Sequence, residues 1–321
     1  MIRNRFFTGL ALAGVLGTSA LADSWPEKPI TLVVPFQAGG ITDVVARKLE
    51  PGLSDRLGQS VVIVNVGGHS SVGTRRVVDA APDGYEFLVH EAGLLTAEAS
   101  GVQDFGYRDM EPVAAVTEIC LVAVARADSG WTSVADIGAD RGDKPVVAGV
   151  TIGGASHMGL VKAAELGGFT IRPVQAGGSA AAYASLIGGQ IDLMSTAPAA
   201  AASYFYDEDG NKLADPEAVP VLYLGQERHP RLPDIPSMAD AGSDEKLCIP
   251  HFIFAPKGTP EDIVSKMAEA VQHAYKQPEG LYDFFAGFGA VELFLEGEDL
   301  DAYLETSWQQ LEPLAATAAG N

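Results

Sequence analysis

Three glycine pairs, each lying between a strand-like run and a helix start, are the segments of this sequence best suited to chemistry. In Leu32-Val33-Val34-Pro35-Phe36-Gln37-Ala38-Gly39-Gly40-Ile41-Thr42-Asp43 a buried-strand pattern breaks at two glycines and passes into a helical one. Glycine permits close backbone approach or positive φ, and the first N–H groups of a helix, at the positive end of its dipole, attract an anion. No arginine is needed. The arrangement recurs at Thr151-Ile152-Gly153-Gly154-Ala155-Ser156-His157, where Ser156 is placed to cap the helix or to touch a ligand. It recurs again at Gln175-Ala176-Gly177-Gly178-Ser179. One such turn is an ordinary connection with an Asp or Ser cap. Three of them on two sheets predict polar, backbone-lined walls that face one cleft.

Other chemistries fit less well. No Gly-Lys-Ser/Thr follows the first turn, as a phosphate loop needs, and the glycine spacing is not that of a dinucleotide fingerprint. Ser156 beside His157 looks like a nucleophile and base, but Met158 stands where a Gly-x-Ser-x-Gly elbow requires glycine. Adjacent helical side chains also point about 100° apart, which bars a catalytic Ser–His hydrogen bond. His157 reads as a helix-start or packing residue. His69, His90, His157, His229, His251 and His273 form no His-Glu-x-x-His or close pair, so neither a metal nor a cofactor is expected. Tyr206-Asp207-Glu208-Asp209-Gly210-Asn211 offers oxygens to calcium, yet its glycine is misplaced for an EF-hand loop. A solvated turn is expected there.

The turns need a scaffold of alternating strands and helices, and the hydrophobic pattern supplies one. Strand-length apolar runs such as Thr31–Phe36, Val61–Val66, Glu86–His90, Pro112–Val116, Leu121–Ala125, Val146–Val150 and Val221–Gly225 alternate with segments of helical period. The fold class is α/β, with mostly parallel sheets and ligands at the strand C-termini. The 321 residues hold 42 Asp plus Glu against 21 Lys plus Arg, and a net charge of −21 leaves no basic field for nucleic acid or anionic lipid. Arg3, Arg5, the apolar run Phe6–Leu16 and Ala20-Leu21-Ala22 predict a secretory signal peptide over 1–22, cleaved after Ala22. The mature chain is expected to be soluble and exported, with two domains of ordinary size.

The chain also contains Trp25-Pro26-Glu27-Lys28-Pro29-Ile30, Ala80-Ala81-Pro82-Asp83-Gly84-Tyr85, Gly188-Gly189-Gln190-Ile191-Asp192-Leu193-Met194, Leu232-Pro233-Asp234-Ile235-Pro236 and Ala255-Pro256-Lys257-Gly258-Thr259-Pro260. In this order, together with Val34-Pro35-Phe36, Gly39-Gly40 and Thr42-Asp43, they make the chain resemble the periplasmic solute receptors of tripartite tricarboxylate transporters, the Bug or TctC family. The resemblance covers nearly the whole mature chain. It implies a type II periplasmic-binding-protein fold, two α/β domains joined by two crossover strands around a ligand cleft. The crossings fall near Leu121–Arg126 and Leu247–Phe254, giving domain 1 as 23–124 plus 250–321 and domain 2 as 125–249. The implied ligand is a small carboxylate, and the implied partners are the membrane subunits of a tripartite transporter served by a monomeric receptor. A binding protein for a sensor kinase, or an exported hydrolase, is the alternative.

The same resemblance draws the ligand set from the first turn (Phe36, Gln37, Ala38, Gly39, Gly40, Thr42 and Asp43), the second (Thr151, Gly153, Gly154, Ser156 and His157) and the third (Gln175, Ala176 and Gly177), with Glu91 beside them. Departures from the family pattern bear on the ligand. Gln37-Ala38 replaces the usual Pro-Pro, Thr151-Ile152-Gly153-Gly154 replaces Gly-Asn-Gly-Ser, and Gln175-Ala176-Gly177-Gly178 replaces Pro-Tyr-Lys-Gly. An aromatic wall, a cation and a hydroxyl are lost, so a roomier pocket is expected, with a ligand that need not be a tricarboxylate. Glu91 stands where the family tends to have small hydroxyl residues, placed to repel a second carboxylate or to receive an amine. Cys120 and Cys248 flank the two crossings, where crossover strands of this fold run side by side; they are either a bridge or two buried thiols.

Overall fold

Ile30, Leu32 and Val34 point to one side of the first strand and Val33 to the other, and that period-two alternation gives the first sheet a core on each face. The structure, a computed structural model, describes residues 25–319 apart from 68–69, 177–178, 208, 279 and 287–292. The expected signal peptide, His69, Gly177 and Glu208 lie outside the described residues. From the N-terminal side run β1 (Ile30–Val34), α1 (Ile41–Leu57), β2 (Val61–Asn65), α2 (Ser70–Val78), β3 (Glu86–Glu91), α3 (Gly93–Ala99) and β4 (Met110–Cys120). Next come β5 (Val122–Arg126), α4 (Val134–Arg141), β6 (Val146–Val150), α5 (Ala155–Gly167), β7 (Ile171–Gln175), α6 (Ser179–Ile187), β8 (Leu193–Thr196), α7 (Pro198–Ser203) and β9 (Ala218–Tyr223). The chain ends with β10 (Cys248–Pro256), α8 (Glu261–Tyr275), α9 (Leu281–Ala286) and α10 (Gly297–Ala319).

The strands form two five-stranded sheets, ordered β2-β1-β3-β10-β4 and β7-β6-β8-β5-β9. In each, three parallel strands adjoin one that runs antiparallel, β10 in the first and β5 in the second. Each sheet with its helices makes a mixed α/β unit, as the resemblance to a type II periplasmic-binding-protein fold implies. On one face of the first sheet Val45, Leu49 and Leu53 of α1 pack with Met267 and Val271 of α8; on the other, Val33, Leu88 and Phe252 meet Leu300 and Leu304 of α10. Val146, Ala148 and Val150 pack on Leu160 and Ala163 of α5 in the second sheet.

The topology decides where the turns go. β4 runs parallel to β3 because β10 is antiparallel to both, so β4 ends at the same edge as β1, β2 and β3. One residue later β5 starts with Val122 opposite Thr196, the end of β8. The carboxyl edges of both sheets therefore face the joint at Leu121. The return crossing lies alongside: Leu224 N–H donates to the Leu121 carbonyl and Leu247 N–H to the Leu224 carbonyl, each at 2.9 Å. Cys248 is the register partner of Cys120, and their sulfurs are bonded.

Strand pairing runs a few residues past the expected crossing points. Val122, Ala123 and Val124, expected in the first domain, pair with Thr196, Ser195 and Met194 in the second sheet, while Cys248 and Ile249 pair with Cys120 and Ile119 in the first. Hydropathy marks no limit at the first crossing, because the apolar run Ile119–Ala125 passes straight through it. Two short helices carry little signal in the sequence. α3 starts at Gly93 without a Ser, Thr, Asp or Asn cap of its own, and α7 is an alanine-rich segment that reads equally as small-residue packing.

Candidate functional site

At the first turn Gly39 has a φ of +87°, a left-handed conformation that glycine takes without strain, and Gly40 leads into α1. Asp43 holds this turn from below. Its Oδ2 accepts the Gly39 N–H at 2.8 Å and Arg47 Nε at 2.9 Å, and its Oδ1 accepts Asn65 Nδ2 at 3.0 Å. Asn65 Nδ2 also donates to the Phe36 carbonyl, at 3.2 Å. Burial would push the Asp43 carboxyl up, but the Arg47, Gly39 and Asn65 donors outweigh it and hold the group below the usual carboxylate range. Asp43, expected among ligand contacts, is thus occupied by the turn itself, and Thr42 is buried beside it. Gln37, Ala38, Gly39 and Gly40 are exposed, and behind them lie the first N–H groups of α1, which have no intrahelical acceptor. Phe36 is half-buried with its ring edge-on to His90, 5.2 Å between centroids.

The second turn is braced in the same manner by different residues. Ser156 Oγ accepts the Thr151 N–H at 2.9 Å, Gln175 Oε1 accepts Ile152 N–H at 3.0 Å, and His157 Nδ1 accepts Gly153 N–H at 3.3 Å. Gly154 N–H closes the turn on the Thr151 carbonyl at 2.8 Å. The partners of Ser156 and His157 are backbone N–H groups, not each other, and a nucleophile–base pair is absent from this turn. Because Nδ1 accepts, the His157 proton sits on Nε2, which is buried without a partner among the described residues; burial lowers the ring's pKa and keeps it neutral. Gln175 Nε2 donates to the Ala176 carbonyl at 3.0 Å, so the third turn is tied to the second. The side chains of Ser156, His157 and Gln175 brace the turn, Thr151 is exposed, and the N–H groups of Ala155 and Ser156, the first two of α5, have no intrahelical acceptor.

The two edges meet. A methyl built on Gly153, whose φ is +75°, would lie 3.1 Å from Ser100 Oγ and 3.1 Å from Val102 Cγ2, at the end of α3. Ala197, following β8, packs against the first sheet's core. The first sheet also carries a polar row that the sequence reading did not assemble. Glu91 of β3 is opposite His251 of β10, which is opposite Thr117 of β4. His90 Nδ1 donates to the Glu91 carbonyl at 2.7 Å. Burial lowers His90 to about 4, and burial together with His90 lowers His251 to about 3, so both rings are neutral. The signal available in sequence was a histidine breaking the apolar run of β10. Among the described residues no cluster of His, Cys, Asp and Glu could hold a metal ion, and no helix is long and apolar enough to cross a membrane.

Comparison with known proteins agrees with this geometry. The family model described as tripartite tricarboxylate transporter family receptor, TctC, matches residues 45–314. The solved structure of the periplasmic binding protein BugD is 30% identical, with a TM-score of 0.78 over 92% of this chain and 98% of that one. A Rhodopseudomonas palustris protein solved with adipate is 27% identical, TM-score 0.79, over 92% and 98% of the two chains. MatC of R. palustris, with bound malate, is 27% identical, TM-score 0.75, over 91% and 100%. These relatives are solute-binding proteins and not enzymes, and with the family model matching most of its length, the chain belongs to the TctC family of periplasmic solute-binding receptors.

Proposed function

We propose that this receptor, exported to the periplasm after cleavage behind Ala22, works as a monomer that captures a small carboxylate between the two sheet edges and delivers it to the membrane subunits of a tripartite transporter. The observation that carries the reading is the placement of α1 and α5. Each starts behind a braced glycine turn, held through the Gly39 and Gly40 N–H groups in the first and through the N–H groups of residues 151–154 in the second, and each leaves the N–H groups of its first two helical residues without an intrahelical acceptor, free for an anion. Fixed dipoles in a drying cleft act at short range, whereas the surface acids of a chain with net charge −21 are screened within about 10 Å by salt. The malate and adipate of two structural relatives are small dicarboxylates, which supports the ligand class. The domains we propose to close on the ligand are those of the sequence reading, with their limits moved to Leu121 and Leu247.

A thermal-shift screen of the mature chain with di- and tricarboxylates, aromatic acids, amino acids and neutral solutes tests this. A ligand that binds only the folded state stabilises it by roughly 2.7 kcal/mol at 100 times its dissociation constant. Carboxylates are expected to raise the melting temperature. A response confined to neutral solutes would refute the reading.

A further inference from the structure

Glu91 ends β3, in the middle of the first sheet's carboxyl edge and between the first turn and the crossing. Its Oε2 accepts Gly93 N–H at 2.7 Å, while no described group donates to Oε1. The side chain keeps a partial opening to solvent. Its neighbours supply no counter-charge: His251 across the strand pair and His90 beside it are neutral, and Thr117 carries none. Arg47, the cation of the first turn, is committed to Asp43, and no Lys or Arg pairs with Glu91 among the described residues.

We propose that Glu91 is a specificity-determining residue that receives an ammonium group of the ligand, so that the cargo is a small carboxylate bearing an amine. This rests on the carboxylate-receptor reading above. The ligand's anionic end lies at the helix starts, and its cationic end completes an ion pair at Glu91. Burial, opposed only by the Gly93 N–H, pushes the Glu91 carboxyl up to about 7, which marks a site where a negative charge is unsupported until a cation arrives. An ammonium supplies that charge at low dielectric. A second carboxylate meets repulsion, or has to hold Glu91 protonated.

The test is isothermal titration calorimetry of the mature chain with pairs matched in length: β-alanine and succinate, γ-aminobutyrate and glutarate, ε-aminocaproate and pimelate. The amino member of the best-binding pair is expected to win by on the order of tenfold, and Glu91→Gln to erase that preference while improving the dicarboxylate. A dicarboxylate preferred by the unmodified protein overturns the proposal whatever the variant does, and leaves the carboxylate-receptor reading standing. An unchanged ratio in Glu91→Gln also overturns it. If no member of any pair binds, this proposal fails, and the thermal-shift screen with the wider set of carboxylates decides the carboxylate-receptor reading separately.

Discussion

Asp43 illustrates how one residue type serves two masters at a turn. Its oxygens take donors from Gly39, Arg47 and Asn65, so Asp43→Ala leaves three groups without their acceptor and is expected to cost roughly 2–3 kcal/mol of stability, measured by urea unfolding. Its folded pKa is depressed, hence the stability it adds is present above its unfolded value near 3.9 and lost as pH falls below that. Asp43→Asn should flatten the acid limb below about pH 4. Glu91 has the opposite sign. Held at about 7 when folded, it keeps a proton that the unfolded chain releases near 4.3, so its contribution falls as pH rises between those values. His90 and His251, lowered to about 4 and about 3, make the folded state resist protons that the unfolded chain binds near 6.5, and stability falls as pH drops through that range. Glu91→Gln should therefore gain stability relative to the unmodified protein as pH rises from about 4.5 to 7, reaching about 2 kcal/mol once its residual exposure is allowed for. A difference that does not vary with pH would contradict the assignment.

At the scale of elements, the glycine turns make a sharper pair of predictions. Gly39→Ala adds a methyl that meets nothing within 4 Å, so its cost is that of a left-handed φ, about 1 kcal/mol. Gly153→Ala carries the same strain and also sets a methyl 3.1 Å from Ser100 and Val102, between the two edges. Both variants should lose similar fold stability, and Gly153→Ala should lose more of the ligand-induced melting shift. The reverse order would mean that the edges do not close on the ligand there. The turns themselves were legible because a glycine pair after an apolar run has few uses, and β6 took the limits of its apolar run, Val146–Val150. What could not be read was direction. Ser156, His157, Gln175 and Asp43 have the right chemistry to face a ligand or to face their own backbone, and only tertiary placement decides between the two. β4 was longer than its apolar run because Glu118, which interrupts the pattern, is satisfied within the fold by Lys246 and by Tyr303 Oη, the latter at 2.9 Å. A partner 128 residues away leaves no local signal.

For the whole molecule, the crossing is where stability and motion meet. The Cys120–Cys248 bond closes a loop of 128 residues that contains the entire second sheet. In the chain-entropy model such a closure stabilises by roughly 4–5 kcal/mol, acting on the unfolded ensemble. The same crossing is held independently by the Leu121–Leu224–Leu247 backbone ladder and by the Glu118–Lys246 ion pair, so the folded geometry does not depend on the sulfurs. None of the three glycine turns includes either cysteine. The double variant Cys120→Ala/Cys248→Ala should therefore unfold at markedly lower urea concentration, yet keep the ligand-induced shift in melting temperature within the scatter of the unmodified protein. Two results would each break this account: unchanged stability would mean that the bridge constrains nothing the unfolded chain explores, and a lost ligand shift would mean that the bridge, rather than the ladder beside it, sets the angle at which the two edges meet.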